Sequence, residues 1–172
     1  MELQSKRVAI LAENNYQEME LWYPYFRMRE AGAKVTVVGM PGVTEYKSKY
    51  GYPVKPGAAA DAVSANDFDA IIIPGGFAPD QMRRHKPMLD LVRTMFERGK
   101  IVAFICHAGW VPISAGILRG KHATCLSAIK DDVINAGALY EDAEVVRDGN
   151  LISSRMPDDL PVFCRTIIAA LK

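Results

Sequence analysis

The segment Lys100–Gly116, KIVAFICHAGWVPISAG, decides how the chain is read. An apolar run rich in β-branched residues, Ile101 to Ile105, stops abruptly at Cys106 and His107. Small residues follow, and then a second helical pattern. A reactive side chain placed where a buried strand gives way to a helix stands on a sharp turn at the top of a sheet. There the first turn of the helix can stabilise an anion. A thiol needs that help, because the thiolate is the nucleophile and the unperturbed pKa lies near 8.5. By itself the position also fits an inert, packed cysteine.

Outward from this segment, extended and helical patterns alternate. RVAILA (Arg7 to Ala12), KVTVVG (Lys34 to Gly39) and DAIIIPGG (Asp69 to Gly76) read as buried strands. Gln17 to Glu30 carries Leu21, Trp22, Tyr25 and Met28 at helical spacing, with Pro24 predicting a late start or a kink. Pro87 to Arg98 is a second amphipathic helix, and Leu160 to Leu171 a last one. Thr44 to Ala60 reads as an irregular hairpin, and AEVVRDGNLISS as a hairpin turning at Asp148-Gly149. KHATC is a short strand, and Ser127 is placed to cap AIKDDVINAG, with Gly137 as its stop. Such alternation predicts a mostly parallel sheet with helices on both faces, in one domain spanning 1–172. Ligands bind such sheets at the carboxyl ends of the strands. The loops after Ala12, Ile73 and Ile105 are therefore where chemistry is expected.

Composition excludes other classes. The 172 residues are 49% apolar and 24% charged, with a net charge of +1 and no basic run, so neither nucleic acid nor a membrane surface is expected as partner. No apolar stretch approaches a membrane span, and the opening MELQSKRVAILAENN turns polar too soon for a signal peptide. Cys106, Cys125 and Cys164 are odd in number and widely separated, which points to a reducing cytoplasm rather than a disulfide framework. His85, His107 and His122 lack metal-ligand spacing, so neither a metal nor another cofactor is expected.

The ordered stretches PGGFAPD, AFICHAG, ISAGILRG, IKDDVINAG, DAEVV, DGN and SSRMPDDL resemble the PfpI family of intracellular proteases. That family lies in the class I glutamine amidotransferase-like superfamily, alongside the parkinsonism-associated protein deglycase. The resemblance runs from about Arg7 to the C-terminus. It implies a flavodoxin-like three-layer sandwich whose nucleophile is the elbow cysteine, matched by Cys106, with the adjacent family histidine at His107. It also implies a glutamate approaching the sulfur, matched by Glu20 within EMEL. Spacing alone leaves Glu18 and Glu20 as two first-turn helix acids. An acidic residue supplied by a neighbouring subunit to orient the histidine is matched by Asp80, shorter than the usual glutamate. A homo-oligomer, dimer or dimer-based hexamer, is implied with it. Backbone groups of Gly75 and Gly76 are candidate oxyanion donors, and Trp110, one turn past the cysteine, either roofs the pocket or belongs to the core.

Departures from the family are several. Phe104 and Ala108 flank the elbow where small residues are usual, Ala108 replacing a glycine. Gln17 occupies a family acidic position, and Leu126 falls where a hyperthermophilic member has a tyrosine. An altered pocket is expected. The resemblance implies an enzyme of stress-protective type acting on small reactive carbonyls or their protein adducts, like a glutathione-independent glyoxalase or deglycase. Peptide hydrolysis by the same nucleophile, and a non-enzymatic redox sensor or chaperone, are the alternatives.

Overall fold

A computed structural model covers residues 1–172. The first half comprises β1 (Arg7–Leu11), α1 (Glu18–Glu30), β2 (Lys34–Gly39), β3 (Tyr46–Lys47), β4 (Pro53–Val54), β5 (Ala58–Ala59) and β6 (Ala70–Ile73). There follow α2 (Ala78–Met82), α3 (Lys86–Glu97), β7 (Ile101–Ile105), α4 (Trp110–Ala115), β8 (His122–Ala123) and α5 (Lys130–Asn135). The chain closes with β9 (Leu139–Tyr140), β10 (Val145–Asp148), β11 (Leu151–Ser154) and α6 (Leu160–Leu171).

Seven strands form the central sheet in the order β10-β11-β7-β6-β1-β2-β5. Every pairing is parallel except β10 with β11, so the mostly parallel sheet expected from the alternating pattern is present. β6 and β7 are buried along their whole length, because helices cover both faces; only Ile101, at the start of β7, keeps a trace of exposure. Helices α1 and α6 pack together on one face, and α3 and α4 on the other. This is a flavodoxin-like sandwich. From β1 the chain builds outward through β2 and β5, then returns to the other side of β1 and builds through β6, β7 and β11. The strand order therefore reverses between β1 and β6, which is the crevice where such sheets bind ligands.

Three local expectations differ from the structure. Helix α1 starts at Glu18 and continues through Pro24 without a late start; proline costs only the bond that its missing N–H would have made to the Glu20 carbonyl. Ser127 does not cap its helix, since it lies inside a 3₁₀ turn (Ser127–Ile129) whose cap position is Leu126. The β10–β11 register pairs Asp148 with Leu151, so the turn residues are Gly149 and Asn150. The hairpin of β3 and β4 is present, but β5, which adds a parallel edge beside β2, and β9, which pairs with β8 apart from the main sheet, carry too few residues for a period to register.

Candidate active site

Cys106 follows β7 directly and has φ +64°, a left-handed conformation that non-glycine residues rarely adopt. A strand must reverse here into the 3₁₀ turn Cys106–Gly109 and then α4, and the strain of about 1–3 kcal/mol is carried by the packing around it. Phe104 and Ala108 are fully buried, so a large aromatic at the position before the elbow is accommodated within the core. The Leu126 N–H donates to the Cys106 carbonyl at 3.3 Å, which ties the turn to the loop after β8.

The structure separates the two first-turn acids that spacing leaves equivalent. Glu20 is wholly buried and faces Cys106, whereas Glu18 turns to the hairpin, where its Oε1 accepts from the Ser48 hydroxyl and from the Tyr50 N–H. Gln17 sets this orientation. Its side chain accepts from the Glu20 N–H at 3.0 Å as helix cap, while its own N–H donates to the Gly75 carbonyl at 3.1 Å. Glu20 Oε2 accepts from the Gly75 N–H at 2.7 Å; Oε1 has no protein partner of ordinary geometry, and the Cys106 thiol is the group that interacts with this carboxyl.

Gly75 and Gly76 are glycines for different reasons. A Cβ on Gly75 would stand 2.5 Å from Glu20 Oε2 and 2.8 Å from the Cys106 Cβ, filling the space between the two groups. Gly76 has φ +79° and lies against the backbone of Asn15 to Gln17, paired with Tyr16 in an isolated bridge. Because the Gly75 N–H is taken by Glu20, it is not free to meet an oxyanion; the N–H groups that face the sulfur are those of Gly76 and His107.

Burial pushes Glu20 up to about 7, against the relief given by the Gly75 N–H and the thiol. Burial also pushes the Cys106 thiol up, to about 12, and a charge on Glu20 raises it further, while the His107 and Gly76 N–H groups favour the thiolate. Burial disfavours a charge on either group and a charge on Glu20 raises the thiol further, so the two groups cannot readily ionise together and the pair titrates as a unit. His107 Nδ1 lies 3.5 Å from Sγ. Its imidazole is held below the ordinary histidine range by burial and then by the Lys49 charge, which keeps the ring neutral at neutral pH.

The mouth is aromatic. The His107 ring stands between Phe77, at 6.2 Å between centroids, and Trp110, at 5.3 Å. Trp110 is half-buried, its indole N–H donates to Asp132 at 2.8 Å, and the Arg83 guanidinium lies 5.7 Å from its ring. It is both a wall of the mouth and packed on the core. Asp80 does not reach His107 within the chain: it lies in the short α2, and its carboxylate accepts from Arg84 at 2.7 Å. Two contributors had no signal in the sequence. Lys49 comes from the β3–β4 hairpin, and nothing in an exposed lysine among turn residues marks it. The Glu13–His85 pair, 2.9 Å apart, anchors the loop after β1 through residues 72 positions apart.

Burial holds all three free cysteines up, at about 12, but Cys106 is 7% exposed against 1% for Cys125 and for Cys164, and only Cys106 has backbone N–H groups that favour its thiolate. Iodoacetamide at neutral pH should therefore label Cys106 first, by roughly tenfold or more over either other thiol. Peptide mapping by mass spectrometry after partial labelling checks this, and equal labelling of all three would count against an activated thiol.

A flavodoxin-like sheet with a left-handed cysteine elbow facing a buried glutamate defines a class of cysteine-elbow proteins. Residues 6–170 match the DJ-1/PfpI family, and the chain belongs to it. It is 43% identical over 166 residues to deglycase PH1704 of Pyrococcus horikoshii, spanning 96% of this chain and 99% of that protein. It is 39% identical to the putative cysteine protease YraA of Bacillus subtilis, over 98% and 99% of the two chains. Among solved structures it resembles a two-domain protein of Anabaena variabilis containing DJ-1/ThiJ/PfpI-like and ferritin-like domains. The identity there is 42% and the TM-score 0.95, over 97% of this chain and 48% of that one.

Proposed function

We propose that this protein is a cysteine-dependent hydrolase acting on reactive carbonyls, of the glutathione-independent glyoxalase or protein deglycase type. The observation that carries the reading is the left-handed Cys106 facing a buried Glu20 whose carboxyl burial holds far above the ordinary carboxylate range. The name deglycase, borne by the Pyrococcus relative, supports it. With methylglyoxal, the Cys106 thiolate adds to the aldehyde carbon, forming a C–S bond as the carbonyl π bond opens to an alkoxide. Glu20 gives that oxygen its proton, and the N–H groups of Gly76 and His107 lie beside it. His107, neutral and next to the sulfur, takes the proton from the former aldehyde carbon and returns it to the neighbouring carbon. Glu20 meanwhile takes back the hydroxyl proton and passes it to the neighbouring carbonyl oxygen, so the first oxygen becomes the thioester carbonyl and the second the lactate hydroxyl. The resulting thioester is cleaved by water, releasing lactate and restoring the thiol, so one methylglyoxal and one water become one lactic acid.

The test is lactate formation from methylglyoxal without glutathione, set against cleavage of casein or a fluorogenic peptide. The protease name of the Bacillus relative makes peptide hydrolysis the second reading, with the same nucleophile and an acyl-enzyme. The aromatic mouth of Phe77, His107 and Trp110 favours a small substrate. Turnover of neither substrate, with reversible oxidation of Cys106, would leave the redox sensor. Three free cysteines fit a cytoplasmic setting.

Asp80 enters this reading through a partner subunit. With its carboxylate 43% exposed, paired only with Arg84 and with no contact to its own His107, it is placed to orient the histidine of a second copy in a dimer or dimer-based hexamer. Asp80→Ala should then lower activity without unfolding the domain. Mixing Asp80→Ala with Cys106→Ser should restore part of the activity, because each mixed pair contains one intact combination. Light scattering that finds a fully active monomer would remove this role.

A further inference from the structure

Lys49 is brought by the fold to the Phe77 side of the mouth, as Arg83 is to the Trp110 side, and the mechanism above does not use it. Three contacts place it there. Its N–H donates to the Tyr16 carbonyl at 2.8 Å, and Tyr16 bridges both Ser48 and Gly76, so the hairpin tip is pinned to the turn that faces Cys106. The ammonium lies 5.7 Å from the centre of the Phe77 ring and 5.4 Å from that of Tyr50. Phe77 in turn stands beside His107. Lys49 joins no ion pair within 4.0 Å. The adjacent Glu18 is already engaged by Ser48 and the Tyr50 N–H. The Lys49 charge is felt by Glu20 and His107, the two proton-carrying groups beside the sulfur, and also by Glu18.

We propose that Lys49 is a specificity-determining residue that selects electrophiles carrying a negative charge beside the reacting carbon, a carboxylate or phosphate next to an aldehyde. This deepens the carbonyl reading and rests on it for the word substrate, although the charge selection itself does not. Lys49 is exposed, but it has no ion-pair partner within 4.0 Å, and an ammonium beside a cleft walled by low-dielectric side chains attracts an anion toward that cleft. The Tyr50 and Phe77 rings hold the ammonium itself by cation–π contact. A neutral aldehyde gains nothing from it.

Iodoacetate and iodoacetamide test this without any catalytic assay. In both, the thiolate attacks the methylene carbon, a C–S bond forms, the C–I bond breaks and iodide leaves with its electron pair. The reagents differ in a carboxylate against an amide. Any change in thiolate population affects both alike and cancels in the ratio of their rate constants at Cys106. At low ionic strength Lys49→Met should lower the iodoacetate-to-iodoacetamide ratio about fivefold, and the difference should shrink as salt is added. Lys47→Met, which removes the same charge from another exposed position of the same hairpin, should leave the ratio unchanged. An unaltered ratio in Lys49→Met, or an equal fall in Lys47→Met, overturns the proposal. Glyoxylate and glycolaldehyde phosphate, as competing thiol adducts, separate carboxylate from phosphate: the group that Lys49 selects slows iodoacetamide labelling at lower concentration than neutral glycolaldehyde, and loses that advantage in Lys49→Met. Loss of methylglyoxal turnover in other tests would sink the carbonyl reading and leave this ratio untouched.

Discussion

Cys106→Ser should reduce kcat/KM for methylglyoxal by about 10⁴-fold or more, while the protein folds as before. A serine hydroxyl is not ionised at neutral pH, and neither Glu20 nor His107 is a strong enough base to ionise it, so the step that forms the C–S bond has no equivalent. The left-handed backbone is already imposed at this position, and serine tolerates it about as well as cysteine. The His107 and Gly76 N–H groups retain an oxygen to face. The thermal midpoint should therefore move by no more than a few degrees, roughly 1 kcal/mol. A serine variant that keeps a tenth of the wild-type turnover would mean that another residue performs the reaction.

Glu20→Gln should separate stability from activity. The carboxyl has a pKa of about 7 in the folded protein, against 4.5 for the free group. Between those values the folded chain holds a proton that the unfolded chain has lost. Stability from this site is thus complete below about 4.5 and declines as pH rises through 7, by roughly 3 kcal/mol in total. Glutamine has nearly the same shape, can accept from the Gly75 N–H and donate to the sulfur, and does not titrate. Urea midpoints should fall between pH 5 and pH 8 in the wild type but stay nearly level in the variant, which becomes the more stable protein at the higher pH. Activity should move the other way, down by about 10²-fold, because an amide cannot pass a proton to the alkoxide. If the two proteins lose stability in parallel as pH rises, Glu20 is not the titrating group.

The frame of the site was legible in the sequence, and its finer selection was not. Strands β6 and β7 are continuous apolar runs because both faces of a parallel sheet are covered, so Ile73 and Ile105 announce where the loops begin. A cysteine at the end of the second run then predicts the strained backbone that Cys106 shows. The choice between Glu18 and Glu20 depended on the family motif, because two residues apart on a first helical turn they share the same local chemistry. Only the long-range bond from Gly75, 55 residues away, buries one of them. Gly75 itself reads as a candidate oxyanion donor until the fold brings Glu20 to its N–H. Lys49 is invisible for the same reason: its importance lies in the Tyr16 bridges and the Phe77 ring, not in any pattern around it.

The central claim is that one proton shared between Glu20 and Cys106 makes the thiol reactive near neutrality. The pH dependence of Cys106 alkylation by iodoacetamide, measured in wild type and Glu20→Gln, tests it most directly. The account predicts that wild-type reactivity rises with an inflection near 7, and that the inflection of the glutamine variant moves up past the free-thiol value of about 8.5, where burial alone controls the sulfur. Coincident inflections at about 8.5 in both proteins would show an ordinary thiol and contradict the shared proton.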